Sequence, residues 1–450
     1  MKATAPVSKR EVHIVGGGTF SHVRKHLSLA APAFGSTAQR LAELFASFAT
    51  SLDTHVHLTK MADPNSNIVT NDDLRQLARQ LVLSYNTKIV IWTPAVVDFD
   101  GDVYQQTGKP AKDAFDWTGM PLQGYDHVKE DVLRLQSDGR YALRLTPVDK
   151  IVGMYRRDPV DGRQPRKDIF LVAFKSTAGA TEEEMYTAGL KLCKNVSANL
   201  VLVNDTVRRL NMVVTPEEAY YHLTHDRDEA LRGLAEMAYL RSQLTFTRST
   251  VIAGDPVAWD DPRVYESLRT VVNHCIEAGA YKPFLGVTAG HFAAKIADNV
   301  FLTSRRKTNF NNLPSTGLVQ VTTDGPEEVT AMGGKPSVVG QSQRIVFEEH
   351  PELDSIVHFH CPIRPGSPVP VVSQREYECG SHECGQNTSN GLRSFTLPSG
   401  NSLDAVMLDQ HGPNIVFNHE TDPQEVIDFI EANFDLTAKT GGYTPAMANA

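Results

Sequence analysis

Three histidines are spaced as cation ligands would be. His358 and His360 stand in the segment SIVHFHCP, where the two-residue period of an extended strand sends both imidazoles to one face. His411 closes a second apolar run, AVMLDQH, which brings a third imidazole to a strand end. Three neutral imidazoles suit a borderline-soft divalent cation, zinc first among them. They leave at least one position for water or a substrate oxygen, the open geometry of a catalytic site. A second motif is Gly16-Gly17-Gly18-Thr19, directly after an apolar strand, where a glycine-rich turn lets backbone amides approach a phosphate. A third is the basic run Arg305-Arg306-Lys307, a candidate anion site, although such a run is more often a solvated face.

These residues must be carried by two kinds of architecture. In the first half, strand-like runs at 12–15, 54–60, 88–92, 169–175 and 198–205 alternate with helical patterns at 36–50 and 71–83. A further helix is announced by the capping box Thr181-Glu182-Glu183-Glu184. That alternation predicts α/β structure with a parallel, Rossmann-like sheet. The polar segment 100–140 reads as an excursion. Thr215-Pro216-Glu217-Glu218 reads as a helix start, opening helical material to about 243.

Gly and Pro break the chain at 245–262, so the domains are expected at 1–245 and 262–440, with a linker at 246–261 and a flexible tail at 441–450. The second domain opens with a helix over 263–278 that stops at Gly279. Short strands follow to about 418, and a helix begins after Asp422-Pro423.

Bulk properties narrow the partners. The 450 residues carry a net charge of -9, with 41% hydrophobic and 22% charged residues, which argues against a general nucleic-acid binder. No stretch approaches the roughly 20 apolar residues of a membrane span, and the N-terminal segment lacks an apolar signal core. The expectation is a cytoplasmic protein without membrane partners. Five scattered cysteines are expected to be reduced thiols, with Cys379 and Cys384 the one pair close enough to question.

Two resemblances sharpen this. HPELDSIVHFHCP followed by DQHGPNIVF resembles the class II aldolase/adducin family over roughly 262–437. The resemblance implies an α/β/α fold around a mostly antiparallel sheet, with a metal held by His358, His360 and His411. It also implies enolate chemistry on a small sugar-phosphate-like substrate, with symmetric oligomers. The family's KPSSE-like glutamate is replaced by Val338 and Val339 in KPSVV, and its phosphate-gripping segment reads Gly290-His291-Phe292-Ala293. Glu383 and His382, in the part of the pattern that lines the site, are then the candidate acid/base groups, with Glu376 and Glu378 nearby in sequence.

Residues 10–215 are similar to phosphopantothenoylcysteine synthetase through the GGT turn, TPAVVDF, LVAFKST and NLVLVNDT. That similarity implies CTP or ATP bound by Gly17, Gly18, Thr19, Asp98 and Asn204. The asparagine and SSG segment of that family is replaced by Ser28-Leu29-Ala30-Ala31-Pro32, and its lysines by Arg134-Leu135-Gln136-Ser137. The leading reading is a metal-dependent lyase, epimerase or dehydratase fused to a nucleotide-binding domain. A degenerate binding or scaffold protein and a phosphopantothenate-cysteine ligase are the alternatives.

Overall fold

The computed structural model describes residues 10–108, 124–323, 325 and 328–440; the expected tail at 441–450 and part of the 100–140 excursion lie outside them. The chain divides into two compact units. One comprises 1–174 with 194–199, and the other comprises 175–193 with 200–450.

In the first unit, apolar β-branched runs form parallel strands. Glu11–Gly16 is central, flanked by Asp53–Leu58 on one side and Thr87–Trp92 on the other, with residues 170–173 beyond. Helices Ser36–Phe48 and Asn71–Leu83 connect the first three strands. The second helix starts at a capping box in which Thr70 and Asp73 satisfy each other's backbone amides, and it buries Leu74, Ala78, Leu81 and Val82. The polar excursion is a small antiparallel sheet of 99–106, 125–127 and 141–147.

In the second unit the strands Leu200–Asp205, Asn211–Val214 and Tyr220–Thr224 form an antiparallel meander. This corrects the expected helix start at 215. Thr215-Pro216-Glu217-Glu218 is the tip of a β-hairpin, closed by Thr215 N donating to Ala219 O and Glu218 N to Thr215 O. The capping-box spelling is shared by turns, and flanking β-branched strands overrode it. Helix begins only at Arg227, capped by Asp226, and runs to Ser242.

The rest is a ten-stranded, mostly antiparallel sheet. Its centre carries His291–Ala297, Ser355–His358, Gly412–Phe417 and Ser402–Leu408 as neighbours. Parallel pairing occurs only toward its ends, where Val371–Val372 lies on Ser402–Leu408 and Arg248–Ile252 on Glu328–Met332. Arg248–Ile252 falls in the segment expected as a linker. Helix Glu266–Glu277 ends at Gly279, whose φ is 84°. Helix Pro423–Asn433, capped by Asp422, contributes Val426, Ile427 and Ile430 to the apolar core with Phe359, Ile415 and Phe417.

Candidate metal centre

Strand pairing assembles the three histidines. Ser355–His358 is a fully buried central strand whose backbone bonds run to both neighbours, with His358 opposite His291 on one side and Asn414 on the other. His360 follows two residues later on the same face. His411 sits in the three-residue turn between Ser402–Leu408 and Gly412–Phe417, where Gln410 adopts a left-handed φ of 57° and His411 N donates to Leu408 O. Gly412 must be glycine, because a Cβ there would lie 2.0 Å from Phe359 O. That close approach seats His411 against the His358–His360 segment.

The result is a buried trio whose ligand atoms all lie within 4.8 Å of one another. His358 Nε2 is 3.3 Å from His411 Nε2, and the His360 and His411 ring centroids are 4.6 Å apart. His358 Nδ1 donates to Pro413 O at 2.7 Å, which places the proton on Nδ1 and leaves the Nε2 lone pair facing His411. Burial pushes the His358 imidazole down to about 4, so the ring is neutral. Nitrogens about 3.3 Å apart are what tetrahedral ligation at about 2.0–2.1 Å requires, and a carbonyl fixing the far nitrogen is the usual support of a ligating histidine. The donor set fits a zinc-like cation.

Charged groups from elsewhere in the second unit surround the trio. Glu218, 2% exposed, places Oε2 3.7 Å from His360 Nδ1 and 2.5 Å from Lys439 Nζ. Thr440 then pins both histidine segments, its N donating to His360 O and its Oγ1 to His411 O. Cys379 Sγ lies 3.5 Å from His411 Nε2; a hydrogen bond with Cys384, and then burial, push its thiol well up. None of the five cysteines forms a disulfide. His291, against His358 at 4.8 Å between centroids, is buried, and its Nδ1 has no hydrogen-bond partner among the described residues.

The other expected site residues lie as follows. The Glu383 carboxylate accepts the Thr245 amide at 3.1 and 3.0 Å, and His382 Nδ1 meets Gln341 Nε2. Val338 holds a left-handed φ of 43°, an outlier for a β-branched residue. Arg305 donates to Thr316 O, while Arg306 and Lys307 are exposed.

In the first unit, Thr19 is fully buried. Its hydroxyl donates to Asn71 Oδ1 and accepts the Val97 amide. A Cβ at Gly18 would meet Ala31 O at 2.0 Å, and Asp98 pairs with Lys150. Asn204, in the second unit, accepts from Ser176 Oγ.

Glu218 and Lys439 escaped the sequence reading. Two short strand-like runs, NMVV and YYHLT, on either side of the turn are the signal that would have identified a hairpin with Glu218 at its tip; nothing local announces that the tip is buried.

No protein-family model and no curated protein matches the chain. Solved structures do resemble parts of it. The DNA/pantothenate metabolism flavoprotein from Streptococcus pneumoniae is 19% identical over 50% of this chain and 96% of its own, with a TM-score of 0.38. YgbL from Escherichia coli is 21% identical over 37% of this chain and 82% of its own, with a TM-score of 0.27. An L-fuculose 1-phosphate aldolase from Glaciozyma antarctica PI12 is 13% identical over 42% of this chain and 79% of its own, with a TM-score of 0.27. Each of these likenesses covers half of this chain or less.

Proposed function

We propose that this chain is a metal-dependent lyase, epimerase or dehydratase of the class II aldolase type. Its substrate would be a small sugar-phosphate-like or nucleotide-linked compound, handled by a cytoplasmic homo-oligomer. The observation that carries this reading is the buried trio of imidazoles with His358 held in the ligating tautomer by Pro413 O. Burying three imidazoles without a ligand is costly, and a divalent cation relieves that cost.

His358, His360 and His411 would hold the cation, most simply zinc. When bound, it would supply Lewis-acid polarisation of a substrate oxygen, easing loss of a proton or cleavage of a bond beside a carbonyl. The chain's own groups do the rest. Pro413 O keeps the His358 proton away from the cation side, Thr440 holds two ligand segments together, and His291 offers a buried nitrogen next to His358. Glu383 stays a proton-transfer proposal. Glu383→Gln should then keep metal and lose turnover, and unchanged turnover would remove it.

The first 245 residues are proposed as a module descended from a nucleotide-dependent ligase, with Gly17, Gly18, Thr19, Asp98 and Asn204 its candidate CTP or ATP contacts. A basic face at Arg305, Arg306 and Lys307 is the proposed anion contact.

Elemental analysis of wild type and His360→Ala, beside turnover assays on sugar phosphates, tests the central reading. About one divalent ion per chain is expected, lost in the variant together with turnover. Turnover that survives metal loss overturns it.

A further inference from the structure

We propose that Glu218 is the carboxylate of this metal centre. It would act through His360, orienting that imidazole and fixing its tautomer, with Lys439 holding the carboxylate in place. This rests on the metal-centre reading above and adds a residue from outside the segment that carries the three histidines.

Four observations converge. Glu218 sits at the tip of the hairpin between Asn211–Val214 and Tyr220–Thr224, and its side chain is almost wholly buried. A buried carboxylate is expensive unless it is paired, and here His360 Nδ1 at 3.7 Å and Lys439 Nζ at 2.5 Å lie within ion-pair range and are themselves buried.

The backbone is held in an unfavourable conformation to put it there. Glu218 has a φ of 68°, a left-handed geometry that a residue with a side chain rarely adopts. Surrounding bonds enforce that conformation: Tyr186 Oη donates to Glu218 O at 2.7 Å, and Glu218 N donates to Thr215 O. Glycine would adopt this turn without strain, so the side chain itself is the reason for the residue.

The neighbouring glutamate shows the same construction. Glu217 accepts the Cys379 amide at 2.9 Å and pairs with buried Arg241, so the same hairpin tip places a second buried, paired carboxylate on the segment that carries Cys379.

The group of ligand atoms lying within 4.8 Å of one another comprises the three imidazoles and not the Glu218 carboxylate. Its place is therefore behind a ligand. His360 Nδ1 lies 3.7 Å from Glu218 Oε2, within ion-pair range and beyond hydrogen-bond distance; closing that gap on metal binding would leave Nε2 for the cation, the arrangement that Pro413 O already gives His358. A carboxylate behind a ligating histidine fixes ring orientation and raises ligand basicity, and its loss weakens metal binding about 10–100-fold.

The test is zinc affinity of the full-length chain by chelator competition, with the visible spectrum of the cobalt-loaded protein, for wild type, Glu218→Gln and Lys439→Met. Glu218→Gln keeps the side-chain shape, and a folded variant should bind zinc about 10–100-fold more weakly with altered cobalt bands. Should that variant not fold, Glu218→Asp keeps the charge one methylene short of His360 and is read the same way.

Zinc affinity within about twofold of wild type and an unchanged cobalt spectrum in a folded Glu218→Gln overturns the proposal while leaving the metal centre standing. If Lys439→Met and Glu218→Gln lose thermal stability equally and neither moves affinity or spectrum, the pair is structural only. Wild type that binds neither zinc nor cobalt removes both this inference and the reading beneath it.

Discussion

Arg241 Nη1 lies 3.1 Å from Glu217 Oε1 in a pair sealed from solvent, the two side chains being 0% and 1% exposed. The same guanidinium donates to Gln374 O and Arg375 O, and the same carboxylate accepts the Cys379 amide. One ion pair therefore anchors the segment that brings Cys379 to His411. Removing one partner strands the other as a buried charge, so Arg241→Met should cost about 3–5 kcal/mol in urea unfolding. Glu217→Leu with Arg241→Met together should be milder than either alone, because no charge is left stranded. Additive losses in the double variant would contradict this.

Metal removal should be felt as stability. A ligand that binds only the native state stabilises by about 2.7 kcal/mol at a hundredfold excess over Kd. Chelation should accordingly lower the thermal midpoint of the wild type and leave that of His360→Ala unmoved. Equal shifts in the two proteins would show that the chelator acts elsewhere.

A second histidine cluster sets an acid limit on the first unit. His13 and His55 are register partners on adjacent parallel strands, and His13 Nδ1 lies 3.0 Å from His57 Nε2. Burial, then the neighbouring imidazoles of His13 and His55, push His57 down to about 4; His13 is lowered too, burial again coming first. The folded state thus resists protons that the unfolded chain accepts near 6.5. Stability is unaffected above about pH 6.5 and falls as pH drops from there toward 4, by at most about 1.4 kcal/mol per pH unit for each such group. His57→Asn should flatten that fall between pH 6.5 and 4.5 in thermal unfolding; an identical slope would place the acid sensitivity in other groups.

The glycine-rich turn yields a discriminating substitution. At Gly18 an added Cβ meets a backbone oxygen, Ala31 O, at 2.0 Å, and the sulfur of Met61 at 2.6 Å. Backbone cannot swing aside, so Gly18→Ala should lower the thermal midpoint with or without CTP or ATP present. A variant with wild-type stability but weakened nucleotide binding, measured calorimetrically, would instead make the turn a phosphate cradle.

What the sequence determined by itself was local and periodic. The parallel strands of the first unit follow from apolar β-branched runs, and helices Asn71–Leu83 and Pro423–Asn433 follow from their caps. His358 and His360 share a face because strands alternate. Tertiary structure decided everything that depends on partners distant in the chain. It closed His411 onto His358, made Arg248–Ile252 a strand by giving it Glu328–Met332 to pair with, and turned Thr215-Pro216-Glu217-Glu218 from an expected helix start into a hairpin tip. The physical reason is the same in each case. A capping box or a β-branched run biases a few dihedrals by a few tenths of a kcal/mol to about 1 kcal/mol. Burying Glu218 beside His360 and Lys439 rests on electrostatic and desolvation energies several times larger, and no short window of sequence contains both partners.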